Sequence, residues 1–455
     1  MDNVTAQRFR WRNLEDNTLK KWKATYKLEA EDCAWAFGRL HDERPSVQTL
    51  DITALELHNT IQAAMEVHIP KRKDRILAHP WWTPKLTQAY EFPCDLRRSA
   101  QIYLGVADEE HMETQVLIQR TKNRLKQLTK AAKRKWINDK LEKVTLDNIW
   151  AFTKWPKGIR QYPSPPISPG EGLPTAVLHE DKCNALRNTL FQPPPPIHAE
   201  PTDLEHGHPD DIAWEPISYA EVQRVIFTPN QQKALGPSQI NYMALCWAWA
   251  TDPLPIYLLI SHCANVGYHP QIWRKTVAVA LWEPKKPDYS NPRAYRLIQL
   301  EECLGKVLES VIARRLSHMI HTHNLVPTTH FGGHPGSSTV DTTLTFTHDI
   351  KATHNHGLVT TSLTLDIKGF FDYVNHDKLT TIMCRKRIPL PMVKWVNSFL
   401  SNREAAICLD GRTSDSRPVE NGIPQGSPIS PALLILYASP VYEEFQARLA
   451  TRYVH

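Results

Sequence analysis

Apolar residues recur at two different periods along this chain of 455 residues. Between residues 51 and 67, Ile52, Leu55, Ile61, Ala64 and Met65 stand at helical spacing, and residues 115–146 form a long proline-free run ending in Leu141, Val144 and Leu146. Ser218, followed by Glu221 and the apolar Val222, Val225 and Ile226, has the form of a capping box opening a helix; residues 305–321 repeat the amphipathic pattern. From Val359 the period shortens to two. Leu363, Leu365 and Ile367 alternate with Ser362, Thr364 and Asp366, which predicts a strand with Asp366 on the face opposite the leucines. Residues 377–387 and 391–400 return to helical spacing, 405–409 reads as a short strand, and 411–414 as a turn before 422–431. Helices mixed with short strands, without a Gly-rich phosphate loop, predict an α+β fold rather than a βαβ ladder.

Proline changes this picture. There are 35 prolines against 17 glycines, and eleven fall between Pro156 and Pro201, where missing N–H donors and fixed φ angles predict a linker over 156–216. It separates a mainly helical region, 1–155, from a second domain, 217–455. The formal charge of +6 is mild, but Arg120 to Lys143 holds ten Lys/Arg against Asp139 and Glu142, a local +8. Within it, Lys130, Lys133, Arg134 and Lys135 with Trp136 offer phosphate neutralisation and a stacking ring; the plainer reading is a solvated helix face. For Trp81-Trp82-Thr83-Pro84 the plainer of two readings is a helix-start anchor with its rings in a core, the other a linker segment ahead of the second domain. Eight cysteines without a C-x-x-C pair predict a reduced intracellular protein lacking structural zinc. Residues 1–27 have no apolar signal core, and the longest apolar runs, 242–250 and 431–441, are too short to span a bilayer.

Candidate chemistry lies near the C-terminal end. In Leu365-Asp366-Ile367-Lys368-Gly369-Phe370-Phe371-Asp372, an aspartate at a strand end is a plausible ligand for a hard cation such as Mg²⁺; a turn acid accepting local N–H bonds is the alternative. Gly422-Ile423-Pro424-Gln425-Gly426-Ser427-Pro428 brackets an amide between two glycines and two prolines, as a loop admitting a ligand close to backbone would, or as a plain turn. His318, His321 and His323 lack a carboxylate or Cys partner in the pattern and read as surface or core histidines.

Taken in order, these segments resemble the reverse transcriptase of non-LTR (LINE-type) retrotransposons. Lys233-Ala234-Leu235-Gly236-Pro237-Ser238 is similar to the family's K-A-P-G-P-D, and Tyr295-Arg296-Leu297-Ile298-Gln299-Leu300 to Y-R-P-I-S-L, with Pro284 to Asp288 before it and Lys306 and Glu309 after it. His330 to Asp341 is similar to Q-F-G-G-R-P-G-R-S-T-x-D, and the segments around Asp366 and Gln425 follow in the family's order. The resemblance implies right-hand polymerase fingers and a palm over 217–455, and extension of a DNA primer on an RNA template from deoxynucleoside triphosphates by two-metal transfer with Mg²⁺. It makes Asp366 the catalytic metal ligand, assisted by the Ile367 carbonyl. Phe371 becomes the bulk that excludes a 2′-hydroxyl, Gln425 the neighbour of template and nucleotide, and Arg296 with Lys285 and Lys286 the holder of triphosphate. The family's aromatic-x-D-D pair has no counterpart after Gln425; the later acids Glu443 and Glu444 fall in an expected helix. The palm is therefore expected to be incomplete and the Mg²⁺ site unfinished within this chain. The competing expectation is a non-catalytic RNA-binding remnant. The location expected is the nucleus, with no membrane contact; the pattern leaves the oligomeric state open.

Overall fold

The computed structural model describes residues 9–11, 14, 17–71, 81–92, 109–142, 163–168, 170, 174–193, 204–231, 235–327, 330–332, 338–362, 364 and 366–452. They fall into two compact units, residues 1–71 with 163–455, and residues 72–162.

In the first unit most helices arise where the apolar period is 3.6, and several carry side-chain caps. Ser218 accepts from Glu221 N–H while Glu221 reaches back to the Ser218 backbone, so the predicted capping box opens Tyr219–Phe227. Ser46 caps Val47–His68, and Asn375 caps His376–Arg385. Cys303–Thr322 covers the helix predicted over 305–321, and Leu390–Leu400 the one over 391–400. Residues 242–266 form two helices, Tyr242–Thr251 and Leu254–Val266, bent by 111°. Among the described residues no single helix is long and apolar enough to cross a membrane. Trp22 and Tyr26 from Thr18–Asp32 stack at 5.2 Å and share one core with Trp249, Leu259, Val307, Trp395 and Leu433. The described residues up to Lys71 thus share a core with the C-terminal half.

The sheet is mixed. β1 (Lys275–Trp282) pairs antiparallel with β2 (Tyr295–Leu300) and parallel with β3 (Arg403–Leu409), while β4 (Arg412–Thr413) and β5 (Arg417–Val419) pair antiparallel with β3. Its buried face, with Ala278, Tyr295, Leu297, Ala405 and Ile407, packs on Cys183 and Leu186 of the helix His179–Leu190. Here the linker expected over 156–216 is corrected. Its described part contributes that helix and a bridge between Ile167 and Ala176, because Lys182 and Arg187 bury their ends on Ser164 and the Ala405 carbonyl.

A second correction concerns residues 362–367. Leu363 and Leu365 lie outside the described residues; Ser362, Thr364, Asp366 and Ile367 are in no strand, and Ile367 is 54% exposed. Alternation marks a face, but a strand also needs a partner ladder, and no described strand pairs with this segment. The second unit contains a helix over 84–92 and the 33-residue helix Glu109–Leu141, matching the proline-free run.

Candidate nucleotide site

The stretch after Asp366 reverses direction. Asp372 and Tyr373 donate their N–H groups to the Gly369 carbonyl at 2.9 and 3.1 Å, and Val374 then enters the core. That turn is stitched to the 422–428 loop, with Ile423 N–H donating to the Phe371 carbonyl at 2.8 Å and Gly422 N–H to that of Val374 at 3.0 Å. His376 Nε2 stands 2.7 Å from the Gly422 carbonyl, so this nitrogen donates; burial holds the ring below the ordinary histidine range. On the other side of the loop, Gln299 of β2 donates its N–H to the Gln425 carbonyl at 2.7 Å. At Gly426, φ is +131° and a Cβ would stand 2.6 Å from the Gln299 carbonyl oxygen, so only glycine lets the loop lie against β2.

Buried polar groups hold the loop from below. Ser427 Oγ donates to Glu309, which burial and the neighbouring Glu301 push well above the usual carboxylate range. Arg403 donates to Glu301 at 3.0 Å and to Gln299 Oε1 at 3.3 Å, both ends of the ion pair being almost wholly buried. Ser238 N–H and Oγ both donate to Glu302, which ties the 235–240 segment to the helix Cys303–Thr322.

The expected site residues are thus partly drawn together. Asp366 and Ile367 are exposed ahead of the turn, Phe371 is half-buried against the core, and Gln425 is half-buried between turn and sheet. Gln425 Nε2 donates to Asp372 Oδ1 at 3.2 Å. Arg296 shares a face of β2 with Ile298, whose side chain comes within 3.6 Å of a Cβ built on Gly426; two residues along a strand is about 7 Å. The Arg296 guanidinium binds Glu283 at 2.6 Å, and Lys286 binds the same carboxylate at 3.0 Å. These hydrogen bonds, Lys286's the larger, hold Glu283 below the usual range. Lys285 is exposed at a turn with φ of +67°.

In the other unit, Lys130, Lys133, Arg134 and Lys135 are exposed on Glu109–Leu141. The Lys133 ammonium stands 4.7 Å from the centroid of the Trp81 ring, and Lys140 stands 5.9 Å from that of Trp136.

Several functional candidates were not legible as such. Asp372 carries no role in the sequence pattern, because its bond to Gln425 spans 53 residues. Glu283 was readable in hindsight, three residues before Lys286. His318 and His321, expected as surface or core histidines, line a cavity of about 740 Å³ with Arg314, Ser310, Ser317 and Pro428.

As for Mg²⁺, the described residues hold no group of three or more His, Cys, Asp or Glu able to bind a metal. One exposed carboxylate and one carbonyl do not make a two-metal site.

Comparison with known proteins bears on the same residues. Residues 284–455 match the family described as reverse transcriptase (RNA-dependent DNA polymerase). The chain is 28% identical over 228 residues to the probable RNA-directed DNA polymerase from transposon X-element of Drosophila melanogaster, covering 50% of this chain and 25% of that protein. It is 26% identical over 306 residues to the probable RNA-directed DNA polymerase from transposon BS of the same species, covering 65% and 33%. Against the RNA-directed DNA polymerase from mobile element jockey, also of Drosophila melanogaster, it is 24% identical over 303 residues, 64% and 32% of the two chains. The matched region is therefore a quarter to a third of the length of these relatives.

Proposed function

We propose, for a chain that carries a reverse transcriptase domain homologous to the RNA-directed DNA polymerases of non-LTR retrotransposons, that it holds an RNA template, a DNA primer and an incoming deoxynucleoside triphosphate at the junction of the 366–374 turn, the 422–428 loop and β2. The observation that carries this reading is the stitching of turn to loop by Ile423, Gly422 and Gln425, inside the segment that matches the family.

In this reading residues 217–455 supply polymerase fingers and palm. Asp366 and Ile367 supply oxygen at the reacting end, Phe371 fills the space of a ribose 2′-hydroxyl, and Gln425 faces the nucleotide. Arg296 and Lys285 take the triphosphate. For Arg296 this means leaving Glu283, a cheap exchange, since solvent screens an exposed ion pair. The groove of Arg314, His318 and His321, joined to the loop through Pro428, offers the template backbone a guanidinium and two imidazole rings. The described ligands by themselves fall short of a two-metal site. A second reading, a non-catalytic RNA-binding remnant, rests on the exposed Lys130, Lys133, Arg134 and Lys135 of Glu109–Leu141, and predicts template binding without sugar discrimination.

Titration calorimetry of the full chain, saturated with an RNA–DNA primer–template, separates the two. The proposal expects dATP to bind tighter than ATP by on the order of tenfold, with Phe371→Ala bringing the ratio near one. Equal affinity of the wild type for both nucleotides contradicts it.

A further inference from the structure

Asp372 has no part in the role assigned above, yet it is the only side chain to which Gln425's own is hydrogen-bonded among the described contacts. The backbone on both sides of this contact is fixed. Gln425 is held to β2 through its carbonyl, and Asp372 by its N–H on Gly369 and by the stitching of its neighbours Phe371 and Val374 to the loop. A glutamine amide has an acceptor end and a donor end of nearly the same shape, and a carboxylate accepts only from the NH₂ end. A fixed anion beside Gln425 therefore selects one of its two orientations.

We propose that Asp372 is a positioning residue of the nucleotide site, whose carboxylate takes the amine end of Gln425 and so sets which way that amide faces the incoming deoxynucleotide. This rests on the reading that Gln425 lies against the nucleotide. The cation that reaches Asp372 is Arg293, which donates to the hydroxyl of the adjacent Tyr373 at 3.5 Å; His376, on the following helix, is spent on the Gly422 carbonyl. Burial outweighs Arg293 and Gln425, and the Asp372 carboxyl is pushed up to about 6. Above that pH the anion holds the amine end. Below it a protonated carboxyl donates as readily to the amide oxygen, and the selection is lost.

The test is dATP affinity of the full chain with bound primer–template, for wild type, Asp372→Leu, Asp372→Asn, Gln425→Ala and the Asp372→Leu/Gln425→Ala double variant. At pH 7.5 Asp372→Leu weakens binding about tenfold, the scale of one hydrogen bond to a charged group, and costs nothing further once Gln425 is alanine. Asp372→Asn, which still accepts from the amine, recovers most of the loss. Between pH 5 and 7 the ratio of Asp372→Asn to wild-type affinity changes, a comparison that cancels titration of the triphosphate itself. Wild-type affinity in Asp372→Leu, or a loss undiminished in the Gln425→Ala background, overturns the role of Asp372. Equal dATP binding by wild type and Gln425→Ala, or none by either, instead sinks the nucleotide reading and the positioning role with it.

Discussion

At Gly422 the chain turns with φ of +75°, and a Cβ there would stand 2.7 Å from the Phe371 carbonyl oxygen and 2.8 Å from that of Asp372. Both the left-handed angle and the backbone contact resist a side chain. Gly422→Ala is expected to cost about 2 kcal/mol or more, read from urea unfolding, because backbone and not a flexible side-chain end has to move. A loss under about 0.5 kcal/mol would mean that the turn and loop are not held together as described. Residues of this kind were half legible. The two glycines and two prolines around Gln425 announced a loop built for close approach, but nothing local told that Gly422 lies on the Asp372 backbone or that Asp372 faces Gln425. Arg296 and Lys285 take their expected role from the resemblance; that Glu283 holds Arg296 follows from β1 and β2 pairing Leu281 with Arg296, a register no local pattern reveals.

Among the elements, helices were read well because their signals are local: a capping box needs only Ser218 and Glu221, and an apolar stripe repeats within one window. The sheet was not. β1 joins β3 across the chain, Thr276 Oγ1 donating to the Glu404 carbonyl 128 residues away, and such pairings leave no local trace. The missing strand at 362–367 is the converse case, with alternation present and no described partner. Where helix Leu390–Leu400 meets the segment before β1, His269 is fully buried among Trp273, Trp395 and Phe399, ring centroids 5.2 to 5.6 Å away. Burial first, then the charges of Arg403 and Arg274, hold this imidazole well below the ordinary histidine range. The unfolded chain takes up this proton near pH 6.5 and the folded one does not, so stability from this group is complete above pH 6.5 and lost as pH falls below it. His269→Phe is expected to reduce the fall in urea stability between pH 7.5 and 5. Comparing variant with wild type cancels the raised carboxyls Asp372 and Glu309, whose slopes run the other way. An undiminished fall in His269→Phe would place the acid-labile group elsewhere.

Across the whole molecule, charge is concentrated in the second unit, on Glu109–Leu141, while the candidate nucleotide site belongs to the first. If the basic helix grips RNA, affinity of the full chain for a single strand falls with salt. Reversing Lys130, Arg134 and Lys135 to glutamate then flattens the log–log slope by about 2, at roughly 0.7 per phosphate contact. Lys133 is left in place over Trp81. An unchanged slope makes the helix a solvated face. The central claim, that the Asp366 turn and the Gln425 loop form one nucleotide site, is tested most directly by photolabelling the full chain with 8-azido-dATP and sequencing the labelled peptides. Label in both 366–374 and 422–428, removed by excess dATP, is the predicted result. Label confined to other segments, such as Glu109–Leu141 or the groove of Arg314 and His318, would contradict it.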